Sequence, residues 1–464
     1  MTKHQSVNMT EGVIWKQILM FSIPLICTTI LQRLYSAVDS IVVGNFAENG
    51  KVALAAIGST EQFINLFVSF AVGISTGVCI IVAQFYGAND TKNINKAVHT
   101  AISFAIIGGL VLTLISYFTT NQILQIVNIP DDVYNDAKGY IQVYFYSLTV
   151  VMLYNICSAI LRAIGDSRRP LIYLIISFFI NIFVDLLLVK VFHFGVLGAA
   201  WATLFSQTTS AVLALIRLLT VKDIYRLKVT QLKINLKMLW RIIKIGVPAA
   251  IQSITFNLSN IIIQSQINTF GSAAVAGCSS CSKIENFILT PAQALSLSAT
   301  TFVGQNIGAR KYSRVHKSVK VCFAMAFSVT VLLSALVLLF RQPLMMIFTR
   351  EQEVLHYGLS MMMVLAPCYI FHVPTEVLTG VIRGTGTVLP PMLTTMIGIC
   401  LTRIIWIMTL VPIFKDIRLV FWCYPASWVI TSTAMLIYYF KGKWMYKDRL
   451  KALRRIRREK LVNS

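Results

Sequence analysis

Residues 18–45, ILMFSIPLICTTILQRLYSAVDSIVVGN, form an apolar stretch carrying one proline, Pro24, and one carboxylate, Asp39. A helix of ~20 residues spans the hydrocarbon core of a bilayer, so the stretch reads as a membrane helix. Asp39 is its anomaly. An ionised group at membrane depth costs roughly 2.5–3.5 kcal/mol on insertion scales, and its default reading is functional.

Working outward, the same length criterion marks further apolar stretches at 53–84, 97–119, 137–161, 170–192, 196–220, 242–268, 274–303, 319–340, 354–380, 390–412 and 419–440. The expectation is an all-α polytopic membrane protein of twelve helices. Composition agrees: 56% of the 464 residues are hydrophobic and only 13% charged, about half the charge of a soluble domain. The net charge of +23 raises the question of nucleic acid. The cations lie in short loops and a tail, with no soluble aromatic platform beside them, so no nucleic-acid partner is expected. The nine cysteines lie mainly inside apolar runs, where cysteine acts as a small hydrophobe. Cys278 and Cys281 have CxxC spacing but no second pair or nearby histidine, so no metal or redox centre is expected there. The polar first dozen residues show no cleavable signal pattern, so the first span should stay in the mature chain.

Loop charge sets the orientation. Loops after even-numbered spans hold Lys92 and Lys96, Arg162, Arg168 and Arg169, a run from Arg217 to Lys244, Arg310 to Lys317, and Arg383. Loops after odd-numbered spans hold Glu48 with Lys51, then Asp131, Asp132 and Asp136, then Lys190, Arg341 and Arg350 against Glu351 and Glu353, and Lys415, Asp416 and Arg418. Both termini are therefore expected in the cytoplasm, with the plasma membrane as the location. The tail 441–464 alternates Lys or Arg with Leu, Ile and Trp, which suits a short helix on an anionic leaflet.

Comparison of the halves shows a repeat. Ser22-Ile-Pro24 recurs as Gly246-Val-Pro248, and Asn45-Phe46 as Thr269-Phe270, 224 residues on. After a three-residue gap the displacement becomes 221: Ala83-Gln84-x-x-Gly87-Ala88 matches Gly304-Gln305-x-x-Gly308-Ala309, Arg162-x-x-Gly165 matches Arg383-x-x-Gly386, and Pro170 matches Pro391. Six helices per copy is an even number, so the copies insert in the same orientation, as parallel repeats do. The expected organisation is a cytoplasmic N-terminus (1–17), an N-lobe (18–220), a basic linker (221–241), a C-lobe (242–440) and the basic tail (441–464). A cleft between two such lobes, opened alternately to each side, is secondary-transporter architecture. No GxxxxGK[ST] loop is present to cradle a nucleotide, and no filter-like loop suggests a channel. The chain is not expected to be an enzyme; an ion gradient is the remaining source of work.

The duplicated six-helix halves, the prolines of spans 1 and 7, the AQFYGA and GQNIGA segments, and the RAIGDSRRP and RGTGTVLPP loops resemble the multidrug and toxic compound extrusion (MATE) transporters over roughly residues 12–440. SKIENF in span 8 is similar to the prokaryotic DinF-like branch. The resemblance implies export of organic cations, drugs and other amphipathic compounds in exchange for H+ or Na+, with no cofactor. It also implies an N-lobe cation site matched here by Asp39, Asn181 and Asp185, with Asn155, Thr203 and Tyr140 at the positions of surrounding ligands.

A rise of ~1.5 Å per residue puts Asp39, Asp185 and Thr203 at about the same level, near 10 Å below the outer surface. Asn181 and Ser177 precede Asp185 by one and two turns on the same helical face. Two carboxylates held together in a low-dielectric cavity do not both ionise easily, so one takes up a proton; the same oxygens, with Asn and Thr oxygens, could ligate Na+ instead. The plain alternative is that Asp39 is wetted by headgroups and Asn181 makes a helix–helix hydrogen bond. Pro24 leaves one carbonyl without its helical donor and permits a bend.

The second half departs at these positions: Asp39 falls on Ile263 and Asp185 on Trp406. Glu376 mirrors Asn155, while Lys283, Glu285 and Arg403 add charge. Internal pairing would satisfy these groups without a ligand; alternatively Gln32, Ser36, Glu285, Glu376 and Arg403 line a cargo cavity. A flippase for a lipid-linked precursor is the alternative function, for which a markedly basic cavity and often extra helices are expected. Small-molecule cargo and the lipid bilayer are the expected partners, and a monomer the expected functional form.

Overall fold

The computed structural model describes residues 7–47, 50–127, 131–442 and 444–445. Most of the basic tail, the first six residues, and Glu48 lie outside the described residues. Among those described there is no strand, and twelve helices are long and apolar enough to cross a membrane. We number these spans α1 (Ile14–Phe46), α2 (Val52–Gly87), α3 (Thr91–Phe118), α4 (Val133–Ala163), α5 (Arg168–Val191), α6 (Gly195–Thr220), α7 (Leu236–Asn268), α8 (Ser272–Gly308), α9 (Tyr312–Leu339), α10 (Gln352–Phe371), α11 (Leu389–Phe414) and α12 (Ile417–Lys441).

Most helices outrun the apolar stretches that mark them, because polar first turns are helical too. Asp90 shows how: its carboxylate accepts from the Asn93 backbone amide at 3.1 Å and starts α3 six residues before the apolar run at 97. The stretch 354–380 is the exception to continuity. Its helix stops at Cys368, passes through a tight 3-10 turn at Tyr369–Phe371, and resumes as Val373–Gly384. Pro367 and Pro374 remove backbone donors around the break, and the Ser432 hydroxyl donates to the Phe371 carbonyl. Two π-helical turns, Leu186–Val191 at the end of α5 and Met396–Leu401 within α11, add further irregular backbone.

The described residues form two compact units, one of Val7 with Pro24–Ala250, the other of Asn8–Ile23 with Ile251 onward. In the first, α4 packs against α2, α3 and α6 over a core that includes Ile81, Val98, Ile156 and Ile160. The first half of α7 belongs here, and small residues let it approach α2 closely: a Cβ on Gly73 would lie 2.4 Å from the Ala250 Cα, the backbone proximity that drives helix association where lipid supplies no hydrophobic contrast. In the second unit α8 is central, packed by α9, α10 and Val373–Gly384 around Met361, Leu365, Phe421 and Trp428. The segment 8–17 is pinned there: Asn306 donates to the Met9 carbonyl, Lys311 to that of Thr10 and Arg314 to that of Gly12, each at 2.9 Å. Large apolar side chains such as Phe118, Leu339 and Phe440 stay exposed, as lipid-facing residues of a membrane protein do.

Candidate functional site

In the first unit, four helices converge on Asp39. From α1 come Asp39 and Tyr35, one turn apart and both buried. From α5 come Ser177, Asn181 and Asp185 at successive turns, the last two with no exposed surface. α6 supplies Thr203 and Ser206, and α4 supplies Tyr140 and Tyr144, all buried. Spacings of i, i+4, and of i, i+3 for Thr203 and Ser206, put each set on one face, so four short sequence patterns meet as one polar centre.

The hydrogen bonds run from the hydroxyls inward. Thr203 Oγ1 donates to Asp39 Oδ2 at 3.2 Å, Ser206 Oγ to the Thr203 carbonyl at 2.9 Å, and Ser177 Oγ to the Ser206 carbonyl at 2.6 Å. The Tyr35 and Ser206 hydroxyls pair directly. Asp39 also has Asp185 and Asn181 as close neighbours, neither in hydrogen-bond geometry with it. Yet Asp39 Oδ1, both Asp185 carboxylate oxygens and both Asn181 amide atoms have no hydrogen-bond partner. Among the described residues no Lys or Arg reaches ion-pair distance of either acid. Two buried carboxylates without a counter-charge are strongly unfavourable when both are ionised. Carboxylate, amide and hydroxyl oxygens together suit either a proton or a hard monovalent cation; among the described residues no group of three His, Cys, Asp or Glu side chains gathers to hold a metal.

Other expected members are placed less centrally. Tyr140 has Asp39 and Asp185 as electrostatic neighbours. Asn155 is half-buried and its amide donates to the Val151 carbonyl of its own helix at 2.8 Å. Gln32 and Ser36 are exposed on α1. Pro24 lies inside α1 without ending it, and the two compact units divide at this residue. Tyr35, Tyr144 and Ser206 were not singled out by sequence; their signal was only spacing, one turn from Asp39, Tyr140 and Thr203.

The second unit has a different centre. Arg403 is buried; its Nε donates to Ser427 Oγ at 3.0 Å and its Nη1 to Asn260 Oδ1 at 3.4 Å. Glu285, half-buried, interacts with the Tyr369 hydroxyl and has Arg403 as an electrostatic neighbour. Glu376 is engaged separately: its Oε1 lies 3.3 Å from His372 Nε2, and its carbonyl accepts from Ser296 Oγ at 2.8 Å. The positions that mirror the acid pair are apolar or aromatic, Ile263 being buried and the Trp406 indole donating to the Leu419 carbonyl.

Comparison with known proteins adds the family. The sequence profile of the MatE family matches twice, at residues 24–187 and 248–409, so that the second match starts 224 residues after the first (24 to 248). The chain is 28% identical over 444 residues to the probable multidrug resistance protein YoeA of Bacillus subtilis, covering 94% of this chain and 95% of that one. It is 25% identical over 448 residues to the probable multidrug resistance protein NorM of Thermotoga maritima, covering 94% and 96%. Among solved structures, a MOP superfamily transporter from Pyrococcus furiosus, described as having a binding pocket of reversed polarity, superimposes with a TM-score of 0.87 at 19% identity over 96% of this chain and 99% of that one.

Proposed function

The chain belongs to the MatE family of multidrug efflux transporters, and from that premise we propose that it is a secondary active exporter driven by H+ or Na+ taken up at Asp39 and Asp185. The observation that supports this reading is the buried acid pair with its unpartnered oxygens, flanked by Asn181 and Thr203. The proposed cargo is organic cations, drugs and other amphipathic compounds. An ion entering from outside neutralises the pair, α1 rearranges with Pro24 as the point of bending, and cargo affinity falls. The two units then alternate their access with the ion bound. In this reading the exporter works as a monomer in the plasma membrane with both termini in the cytoplasm. The lipid-precursor flippase calls for a markedly basic cavity; the carboxylates of the first unit are the feature against it, and Arg403 of the second unit is the one feature in its favour.

The test is gradient-driven efflux of a fluorescent cationic dye in vesicles, with Na+ and pH gradients imposed separately. Asp39→Asn and Asp185→Asn, singly and together, are expected to abolish coupling. Full efflux in all three would refute the proposal.

A further inference from the structure

The largest fully buried side chain among the described residues is a cation, Arg403, only 1% exposed in α11. Its two hydrogen bonds go to the neutral oxygens of Ser427 and Asn260. Its guanidinium lies 4.3 Å from the Tyr424 ring centre and 5.7 Å from that of Phe256. Glu285 is an electrostatic neighbour but not within ion-pair distance. A guanidinium stays protonated in proteins, so it cannot shed its charge as a buried lysine can. Hydroxyl, amide and π-face contacts offset part of its desolvation; the remainder calls for an anion.

What such an anion would look like follows from the donor set. The planar fork of an arginine matches a carboxylate bidentately. An open cleft of about 590 Å3 lies between α7 and α11, lined by Ile261, Ser265, Gln266, Ile407 and Met408. Ile261 follows Asn260 directly, and Ile407 lies one turn beyond Arg403 on the same face. The mainly apolar cleft is thus walled by the two helices that carry Arg403 and Asn260, with neither of these side chains in its lining.

We infer that Arg403 is the recognition centre for the carboxylate of an amphipathic cargo whose apolar body occupies the cleft between α7 and α11. Ser427 and Asn260 orient the guanidinium, and Glu285 competes with the incoming carboxylate for its charge. Zwitterionic compounds thereby join the cargo range. The inference rests on the exporter reading for the word cargo, but binding at Arg403 needs no gradient.

Equilibrium binding to the full chain in nanodiscs tests it, with rhodamine B, a cationic dye bearing a free carboxylate, and its ethyl ester as the matched pair. The wild type is expected to favour the acid about tenfold, the worth of one hydrogen-bonded charge pair. Arg403→Gln should bring the acid-to-ester ratio to one, Arg403→Lys should keep part of it, and Glu285→Gln should raise it. No preference in the wild type, or an unchanged ratio in Arg403→Gln, overturns the inference. Should Arg403→Gln fail to fold, Ser427→Ala and Asn260→Ala must lower the ratio, and an unchanged ratio in both also overturns it. Gradient-driven efflux of the ester, measured separately in vesicles, reports on the exporter reading alone: its loss beside a retained acid preference refutes transport and leaves the carboxylate site standing.

Discussion

The first unit gathers Asp39, Asn181, Asp185 and Thr203 around two carboxylates, whereas the second gathers Asn260, Tyr424 and Ser427 around Arg403. Shifted by 221, Thr203 and Ser206 become Tyr424 and Ser427; shifted by 224, Ser36 becomes Asn260. The same helices of each repeat thus supply the partners, while the central charge changes sign. Local backbone differs in a parallel way. The π-helical turn of α5 begins directly after Asp185, and that of α11 ends two residues before Arg403. Such turns shift helical register and often mark functional sites. The comparison shows that a duplicated frame of helices and hydroxyls accepts either sign of charge, so the chemistry of each unit has to be read from its own residues.

The comparison breaks most visibly if the acids are dispensable. Removing either carboxylate should cost about 3 kcal/mol of coupling, a fall of roughly 100-fold in gradient-driven efflux, whereas Ile263→Asp in the second unit should not restore it in an Asp39→Asn background. Restoration there would mean the units are interchangeable. A smaller effect is expected from the hydroxyl shared by the frame. Thr203→Val removes one hydrogen bond to Asp39 and should weaken coupling-ion affinity about tenfold, as hydrogen bonds to charged groups do. Titration of ion-dependent fluorescence checks this, and an unchanged affinity would make Thr203 a packing residue. Glu376→Gln weakens the contact with His372 at the α10 break, and a loss of about 1 kcal/mol in thermal unfolding is expected. The smallest effect should come from Asn155→Ala, within about 0.5 kcal/mol of wild type, because its amide bonds its own helix. A large change in ion dependence there would bring Asn155 into the coupling site.

How much of this was legible in the chain varies with the range of the forces involved. Twelve spans can be read because a bilayer demands ~20 apolar residues per crossing. The meeting of Asp39 with Thr203 was legible in outline, since helical rise converts residue count into depth. The break at Tyr369–Phe371 was not legible. Pro367 and Pro374 were in view, but many membrane helices tolerate proline, and the Ser432 contact comes from a different helix. Counting by helical rise did set Asn155 apart, deeper and toward the cytoplasmic half of its helix; that its amide bonds its own helix at the Val151 carbonyl was not legible, because rotation about the helix axis decides which neighbour an amide meets.

Pattern alone established the membrane class, the twelve crossings, the two repeats and the odd carboxylate in the first of them, since each depends on composition or periodicity along one dimension. Tertiary structure decided which buried groups have partners. It left the side chains of Asp185 and Asn181 without hydrogen bonds, gave Glu376 to His372, and surrounded Arg403 with neutral oxygens and aromatic faces. It also decided that α1 passes from one compact unit to the other at Pro24. Apart from the pairing of His372 with Glu376, four residues on, those outcomes depend on distances of a few ångströms between side chains of different helices, 24 positions apart for Arg403 and Ser427 and 143 for Asn260 and Arg403, and no local propensity encodes them.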